Sequence, residues 1–305
     1  MGYMKFKTFL ELVEIQAKTA SILPYFMGII YAWYHYQELH LLNLLLFFIA
    51  MFLFNMAVDA IDNYMDYKKA SKEHNYREEV NIIGRENIPI QLVGTLIVIM
   101  VVISAGLGLY LVKQTGWPLL YMGLYCYFIG IFYSSGPKPI SSMPLGEVFS
   151  GFTMGFMIYL ISIYVNAYNV MTFDSQTFFI ILFASIPNMF AIANLMLANN
   201  ICDLEEDVTN KRFTLPYYLG KANALKLFKW LYILAFVSLI ISVYVGIYPK
   251  MMLVTLLAIP FVNKNVTKFL HVQDKRKTFV CAVQNLALMT TLQVVTFLIG
   301  IWVNF

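Results

Sequence analysis

Apolar runs long enough to cross a lipid bilayer recur along the whole chain, and they limit its possible folds more than any other feature. A helix needs about 20 predominantly apolar residues to span the hydrocarbon core. The candidate runs occupy residues 22–36, 42–62, 88–112, 117–134, 145–165, 178–199, 231–247, 251–262 and 282–305. Only 12% of the residues are charged, about half the usual share in a soluble domain. The sequence therefore predicts an all-α polytopic membrane protein.

The distribution of lysine and arginine gives the predicted helices an orientation. Basic residues collect in the cytoplasmic loops of membrane proteins. With nine helices and the N-terminus in the cytoplasm, all but Lys113 and Lys250 of the 21 basic residues lie on the cytoplasmic side. Merging the short eighth run with the seventh would give eight helices and scramble this alternation. We therefore expect nine transmembrane helices in a multi-pass protein of the cytoplasmic membrane.

The predicted segments outside the membrane are mostly short. Residues 1–20 are amphipathic and contain acidic side chains, which favours a retained interfacial helix over a cleaved signal peptide. Two longer cytoplasmic segments, about 63–87 and 200–230, are predicted cap loops of a single transmembrane domain over residues 1–305. No basic stretch is long enough for a nucleic-acid-binding arm, and no feature indicates an obligatory protein partner.

Two groups of acidic and amide side chains lie where predicted spans meet these loops. The first, in FNMAVDAIDNYMDYKK, consists of Asn55, Asp59, Asp62 and Asp66. The second, in ANNICDLEEDVTNKR, consists of Asn199, Asp203 and Asp207. Spacings of three and four residues place the members of each group on one face of a helix. We call these the first and the second aspartate face.

The chemistry of the two faces favours a metal site. Like charges stacked near a membrane repel each other and are costly. Carboxylate and amide oxygens suit Mg²⁺, which keeps some of its waters and bridges to phosphate oxygens. Two opposed faces would chelate a diphosphate through the metal ions, whereas a single acidic group is more often an interfacial cap. Further phosphate charge would be neutralised by Lys68, Lys69, Arg77, Arg85, Lys211 and Arg212.

The same segments resemble a known family. VDAIDNYMD is similar to the first aspartate element of the UbiA superfamily of intramembrane aromatic prenyltransferases, and NNICDLEEDVTNKRFTLPYYLG is similar to the second. The strings DLEEDVTNKRFTL, YMDYKK and YSSGPKPISSMPLGEVFSGF resemble the 1,4-dihydroxy-2-naphthoate prenyltransferases of menaquinone synthesis. The likeness extends over nearly the whole chain. It implies a UbiA-type fold of nine transmembrane helices around a central cavity.

The resemblance also implies which residues form the catalytic centre. Mg²⁺ and the diphosphate would be bound by Asp59, Asp62, Asp66, Asp203 and Asp207. The amides of Asn55, Asn63 and Asn199 would support these carboxylates. Lys211 and Arg212 would contact phosphate, although ordinary cytoplasmic charge is an equally good explanation for either residue. Lys68 and Arg77 are further candidates for the same contact.

Three other residues have candidate roles with simpler alternatives. Lys18 would reach the diphosphate or an acceptor carboxylate, or it would serve only as an interfacial anchor. Lys138 carries the same ambiguity beside a predicted tight turn at Gly136. Tyr133 would stabilise a cation through its ring face, or it would simply pack at the interface.

The predicted reaction joins a polyprenyl diphosphate to an aromatic acceptor with Mg²⁺ as cofactor. The leaving diphosphate is neutralised, an allylic cation forms, and an electron-rich ring attacks it. For 1,4-dihydroxy-2-naphthoate, the resemblance implies substitution at the carboxylate-bearing carbon with loss of CO₂. Alternative acceptors are 4-hydroxybenzoate, a homogentisate-like ring or a porphyrin side chain. A cation-coupled transporter is disfavoured, because transporters place ionisable groups near mid-membrane and these acids lie at helix ends.

Overall fold

The computed structural model of the protein describes residues 4–69 and 81–303, and the regular structure of these residues is helical throughout, with no β-strand. In chain order the α-helices are α1 (Phe6–Leu12), α2 (Thr19–Tyr36), α3 (Leu41–Lys69), α4 (Ile82–Arg85), α5 (Ile90–Thr115), α6 (Trp117–Ser134), α7 (Gly146–Ser150), α8 (Ile158–Ala167), α9 (Ser175–Cys202), α10 (Leu204–Thr209), α11 (Leu215–Leu219), α12 (Lys221–Tyr244), α13 (Ile259–His271) and α14 (Phe279–Val303). A π-helical stretch, Gly151–Met157, joins α7 to α8, and 3₁₀-helices occupy Ile15–Lys18, Ile140–Ser142 and Lys250–Ala258.

The chain forms two units. The first unit comprises Met1–Thr19 and Leu41–Pro139, and the second comprises Ala20–His40 and Ile140–Phe305. The prediction of a single domain over the whole chain stays a prediction.

In the first unit, α3 packs chiefly against α5, and α6 packs against both helices. The contact uses small and unbranched side chains of α3, among them Met56, Ala57 and Ala60, against Val93 and Met100 of α5. Small residues let membrane helices approach closely, because without a hydrophobic driving force the packing itself must hold them together. This close contact fixes the C-terminal half of α3, which carries the first aspartate face.

In the second unit, α9 is the central helix and packs against α12, α14 and the π-helical stretch. Gly155 lies so close to α9 that a Cβ atom there would come within 2.6 Å of the Cα of Met189. A Cβ on Gly28 of α2 would likewise be 2.5 Å from the carbonyl oxygen of Tyr159 on α8. These glycines permit contacts that no larger residue would allow, and Gly155 brings the π-helical stretch directly against α9, which carries Asn199 of the second aspartate face.

Seven helices of the described residues are long and apolar enough to cross a membrane. They are Leu41–Lys69, Ile90–Thr115, Gly146–Ala167, Ser175–Cys202, Lys221–Tyr244, Lys250–His271 and Phe279–Val303. On α5, Val98, Val102 and Leu109 are each at least 60% exposed, which lipid tolerates and water would not. The chain is therefore a multi-pass membrane protein.

Two predicted spans, 22–36 and 117–134, fall on α2 and α6 but are not among the seven. Each of these helices has 18 residues, and each is rich in tyrosine and tryptophan, which lowers the mean hydropathy. Aromatic residues of this kind favour the membrane–water interface. Nine membrane-crossing helices are thus not confirmed, although among the described residues most of each predicted run is helical.

The predicted cap loops are more helical than expected. Helix α3 continues beyond the apolar run, which ends at residue 62, as far as Lys69, so the whole first aspartate face lies on one helix as its spacing predicts. The segment 200–230 contains α10 and α11, and α12 begins at Lys221. The aspartate spacing that marks the site also continues the helical pattern, so the helices extend beyond their apolar runs.

Candidate functional site

Helix α3 presents the first aspartate face as a row of half-buried side chains. Asn55, Asp59, Asp62 and Asp66 follow one another at helical spacing within Leu41–Lys69. Half-burial leaves the carboxylates accessible while it removes part of their hydration, which strengthens their interaction with any cation that reaches them. The predicted arrangement on a single helix is confirmed for this face.

Lys18 lies against the first aspartate face. Its Nζ donates to Asp59 Oδ2 and, at 3.3 Å, to the backbone carbonyl oxygen of Asn55. The lysine side chain is 2% exposed and the aspartate side chain 26%. Burial lowers the pKa of the Lys18 ammonium to about 8, against a smaller opposing effect of the Glu14 carboxylate. Lys18 thus contacts the first aspartate face directly, and its predicted role toward diphosphate or acceptor stays a prediction.

Ser134, at the end of α6, holds the next carboxylate of the face. Its hydroxyl donates to Asp62 Oδ1, and its backbone carbonyl accepts from Lys69 Nζ at 3.2 Å. The last carbonyls of a helix lack partners within the helix, and the lysine supplies one here. Ser134 was not predicted as a site residue, although it stands in the YSSG string that carried part of the family resemblance.

Asn63 connects α3 to its neighbours. Its Nδ2 donates to the carbonyl oxygens of Leu12, at 3.1 Å, and of Asp59, at 3.2 Å. Asn81, which caps α4 through its side chain, donates from Nδ2 to the carbonyl of Asn63 at 3.0 Å. The amide nitrogen of Asn63 is therefore used structurally, and its Oδ1 is the atom left for the predicted support of the carboxylates.

Three further candidates of the first unit also lie within the described residues. Lys68 lies with its ammonium 4.5 Å from the ring centroid of Tyr64, a cation–π contact. Tyr133 is half-buried beside Ser134, and Lys138 is exposed after the turn at Gly136, where φ is +92°. The positive φ confirms that this turn favours glycine. Arg77 lies outside the described residues.

The second aspartate face continues across a break between two helices. Asn199 is in the last turn of α9, Asp203 lies between α9 and α10, and Asp207 is in α10. The amide of Asp203 donates to the carbonyl of Asn199 at 3.0 Å, and that of Asp207 to the carbonyl of Asp203 at 2.8 Å. These bonds maintain helical spacing through the break, so the three side chains follow one another as predicted.

Asp207 is held by residues that follow it in the chain. It is 5% exposed, with Oδ1 3.3 Å from Arg212 Nε and Oδ2 accepting from the Thr214 hydroxyl at 3.4 Å. Burial raises the pKa of Asp207 to about 6, against the opposing effect of the Arg212 guanidinium. Arg212 also donates to the carbonyl of Ser141 at 3.4 Å, so its guanidinium positions Asp207, while Lys211 is exposed.

Lys275 also contacts the second aspartate face, in a contact that the sequence does not predict. Its Nζ donates to both Asn199 Oδ1 and Asp203 Oδ2. It lies in the turn between α13 and α14, where sequence analysis had counted it only as a cytoplasmic charge. No spacing rule relates Lys275 to Asp203, because the folded helices alone bring them together.

A buried carboxyl lies next to the second face. Glu147 is 3% exposed, and its Oε1 accepts from Asn200 Nδ2 at 2.8 Å. Its Oε2 has no hydrogen-bond partner among the described residues. This pair ties α7 to the end of α9 immediately beside Asn199.

The donor atoms fit a hard divalent cation. On each face an ammonium group contacts an aspartate carboxylate and an oxygen of the asparagine four residues before it. This second oxygen is the backbone carbonyl of Asn55 on the first face and the side-chain Oδ1 of Asn199 on the second. Within each unit, no three Asp, Glu, His or Cys side chains of the described residues cluster closely enough to hold a metal ion. A cation at either face would complete its shell with amide, water or phosphate oxygens, as Mg²⁺ commonly does.

Residues 21–302 match the model of the UbiA prenyltransferase family. The chain belongs to this family. It is 28% identical over 253 residues to the 1,4-dihydroxy-2-naphthoate octaprenyltransferase of Bacillus subtilis, across 82% of this chain and 78% of that protein. The predicted resemblance is confirmed, and this prenyltransferase is an enzyme of the transferase class rather than a transporter.

Solved structures show the same fold. A UbiA homologue from Archaeoglobus fulgidus bound to DMAPP and Mg²⁺ has a TM-score of 0.66 at 14% identity, covering 96% of this chain and 99% of that chain. The apo structure of a UbiA homologue from Aeropyrum pernix K1 also has a TM-score of 0.66 at 14% identity, covering 94% and 97%. The all-helical UbiA fold of this prenyltransferase is thereby established.

Proposed function

We propose that this prenyltransferase moves a polyprenyl group from a prenyl diphosphate to 1,4-dihydroxy-2-naphthoate in menaquinone biosynthesis, with Mg²⁺ as cofactor. The observation that carries the proposal is the pair of aspartate faces, each with a lysine ammonium on its Asn and Asp oxygens. Carboxylates accompanied by cations suit a metal-bound diphosphate, whose own negative charge needs both. The Archaeoglobus homologue of the same fold was solved with DMAPP and Mg²⁺.

The aspartates of both faces are the proposed ligands of Mg²⁺ and, through it, of the diphosphate: Asp59, Asp62, Asp66, Asp203 and Asp207. Bound Mg²⁺ would neutralise the charge that develops on the departing diphosphate. We propose that Lys18 and Lys275 take up further phosphate charge, since their ammonium groups contact oxygens of the proposed metal ligands. Lys68, Lys138, Lys211 and Arg77 remain proposed contacts of the phosphate or the acceptor.

The substrates agree with a membrane location. A polyprenyl tail is stabilised by lipid, and its charged head group belongs at the surface. We propose nine spans, with α2 and α6 as the tyrosine-rich members, in the cytoplasmic membrane with the N-terminus inside. Under this topology both aspartate faces lie at the cytoplasmic surface, where the prenyl diphosphate is available.

The proposed acceptor rests on the Bacillus subtilis relative, which is a 1,4-dihydroxy-2-naphthoate octaprenyltransferase. In the proposed reaction, the C–O bond between prenyl group and diphosphate breaks and a C–C bond forms at the carboxylate-bearing ring carbon. The bond between that ring carbon and the carboxylate carbon then breaks. The carboxylate leaves as CO₂, and the electron pair of the broken bond returns to the ring and restores its aromaticity. Exclusion of water protects the allylic cation from hydrolysis.

The decisive experiment is an acceptor panel on the purified full-length protein with one prenyl diphosphate. We expect prenylated product and released CO₂ with 1,4-dihydroxy-2-naphthoate, and little product with 4-hydroxybenzoate or homogentisate. EDTA should abolish the reaction, and added Mg²⁺ should restore it. Preference for 4-hydroxybenzoate would refute the proposed acceptor, and full activity in EDTA would refute the metal site.

A further inference from the structure

Lys275 occupies the place on the second aspartate face where a cation ligand would bind. Its Nζ contacts Asn199 Oδ1 and Asp203 Oδ2 together, the first two oxygens of the face. The ammonium therefore stands in for a cation in the protein alone. Any divalent cation that uses these two oxygens must displace it.

The turn that presents Lys275 is fixed by its own hydrogen bonds. Asp274 Oδ1 accepts from the amides of Arg276 and Lys277, both at 2.8 Å. The Thr278 hydroxyl accepts from the amide of Asp274 at 2.8 Å, and the Thr278 amide donates to the carbonyl of Asp274 at 2.9 Å. The backbone of residue 275 is thus held firmly at the start of α14.

The side chain of Lys275, in contrast, is free to change its conformation. It is 45% exposed, and its ammonium lies 5.2 Å from the ring centroid of Phe279. A lysine has a flexible four-carbon stem and rotatable donors, so its charge can move several ångströms while the turn stays in place. The partner carboxylate, Asp203, is 24% exposed, which leaves room for an incoming ligand.

The charge of the Lys275 ammonium determines whether a divalent cation binds more favourably alone or together with an anion. With the protein alone, the ammonium compensates Asp203. A divalent cation arriving without an anion would meet this positive charge at contact distance and would have to expel it into water. A diphosphate arriving with the cation brings negative oxygens, which give the displaced ammonium a new partner.

We propose that Lys275 couples metal binding to diphosphate binding: its ammonium holds Asn199 and Asp203 when the site is free of ligand, and it transfers to the phosphate oxygens when cation and diphosphate bind together. The inference rests on the proposed function, because it requires that the second aspartate face receives a metal-bound diphosphate. Lys275 thereby suppresses binding of the metal by itself and strengthens binding of the metal–diphosphate pair.

The test measures Mn²⁺ binding by the full-length protein in detergent, from the electron paramagnetic resonance signal of free Mn²⁺, with and without inorganic pyrophosphate. For the wild type we expect pyrophosphate to tighten Mn²⁺ binding about tenfold or more, within the usual range of coupling between sites. In Lys275→Met, Mn²⁺ alone should bind more tightly, and the enhancement by pyrophosphate should shrink to about twofold or less. Lys275→Arg should restore most of the coupling, because it keeps the charge.

A neighbouring residue supplies the matched control. Lys277 stands in the same turn and is exposed, so Lys277→Met removes the same charge without touching Asn199 or Asp203. It should leave both Mn²⁺ affinities unchanged. If Lys277→Met behaves like Lys275→Met, the effect is one of general surface charge and the inference is wrong.

The outcomes separate this inference from the proposed function. If pyrophosphate tightens Mn²⁺ binding equally in the wild type and in Lys275→Met, the metal–diphosphate site stands and the role of Lys275 is refuted. If Lys275→Met weakens the binding of Mn²⁺ in the absence of pyrophosphate, the proposal that the Lys275 ammonium competes with the metal for Asn199 and Asp203 is likewise refuted. If the wild type shows no Mn²⁺ binding with or without pyrophosphate, the proposed function and the inference both fail. Prenyl transfer by Lys275→Met should show a raised KM for the prenyl diphosphate with a smaller change in kcat.

Discussion

The two units each contain a lysine that contacts the second member of an aspartate face, and the two pairs differ in burial. Lys18, paired with Asp59 in the first unit, is 2% exposed. Lys275, paired with Asp203 in the second unit, is 45% exposed. A buried ion pair is costly to separate, whereas an exposed pair exchanges readily with solvent and ions. The comparison indicates a fixed cation on one face and an exchangeable one on the other.

Burial also separates what the two lysines do for the fold. Lys18 belongs to the 3₁₀-helix Ile15–Lys18 and contacts the backbone of Asn55 as well as Asp59, so it ties the N-terminal segment to α3. Among the described residues, the Lys275 ammonium donates hydrogen bonds to side chains of the second face alone. The first pair thus also holds two segments of the fold together, whereas the second pair joins a surface turn to the second face.

The largest expected effect is common to both faces. Asp62→Asn and Asp203→Asn should each lower kcat by about 100-fold or more, the usual cost of removing one group that stabilises charge in a transition state. The measurement is prenyl transfer by purified protein, normalised to the folded fraction. Asp174→Asn is the matched control, because Asp174 caps the opposite end of α9 by accepting from the Thr177 amide and asparagine is an equally good cap. Near-normal activity in either face variant would contradict the metal assignment.

The next effect should distinguish the two pairs by stability. Asp59→Ala leaves the Lys18 ammonium buried without its carboxylate, and we expect the free energy of unfolding to fall by about 3 kcal/mol. Asp203→Ala leaves an exposed ammonium that water can solvate, so the loss should stay below about 1 kcal/mol. Chemical denaturation in mixed micelles, followed by tryptophan fluorescence, measures both. Equal losses would show that burial does not separate the pairs.

Substitution of each lysine by arginine, which preserves the charge, tests the same difference in burial. Lys18→Arg forces a larger planar group into a closed space, and overpacking of this kind costs about 1–3 kcal/mol. Lys275 is partly exposed, so Lys275→Arg has room for the larger group and should change the free energy of unfolding by no more than about 0.5 kcal/mol. The same denaturation experiment provides both values. A tolerated arginine at position 18 would mean that the surroundings of Lys18 are not rigidly packed.

Sequence reasoning predicted the features that depend on local order. The helical spacing of Asn55, Asp59 and Asp62 is a property of one helix, so the pattern alone placed them on one face. Apolar runs likewise predicted the helices, although α3 and α12 extend past the apolar residues into polar turns. In each of these cases the deciding information lies within a few helical turns.

Contacts between distant segments could not be predicted in the same way. Lys275 reaches Asp203 because α13 and α14 return the chain to the end of α9, and Ser134 reaches Asp62 because α6 ends beside α3. No periodicity encodes either distance. Hydropathy alone also does not decide whether α2 and α6 cross the membrane. Their tyrosine residues, which suit a membrane interface, lower the mean hydropathy of helices whose other residues are largely apolar.

The smallest predicted effect compares the hydroxyl groups that hold a carboxylate in each unit. The Ser134 hydroxyl contacts Asp62 directly, whereas Thr214 reaches Asp207 at 3.4 Å and shares it with Arg212. A hydrogen bond to a charged group contributes about 1.5–3 kcal/mol and a long one much less. Ser134→Ala should therefore lower kcat/KM about tenfold, and Thr214→Val only about twofold.

The adjacent serine makes this last prediction specific. The Ser135 hydroxyl bonds to the carbonyl of Ile131 in its own helix, so Ser135→Ala removes a hydroxyl at the same helix end without releasing Asp62. It should retain activity within about twofold, since a solvent-accessible hydroxyl bonded within its own helix contributes little. If Ser135→Ala matched Ser134→Ala, the loss would come from the end of α6 as a whole. If Ser134→Ala were fully active, the contact from α6 would not be needed to position Asp62. The geometry of the first face would then be determined by α3 alone.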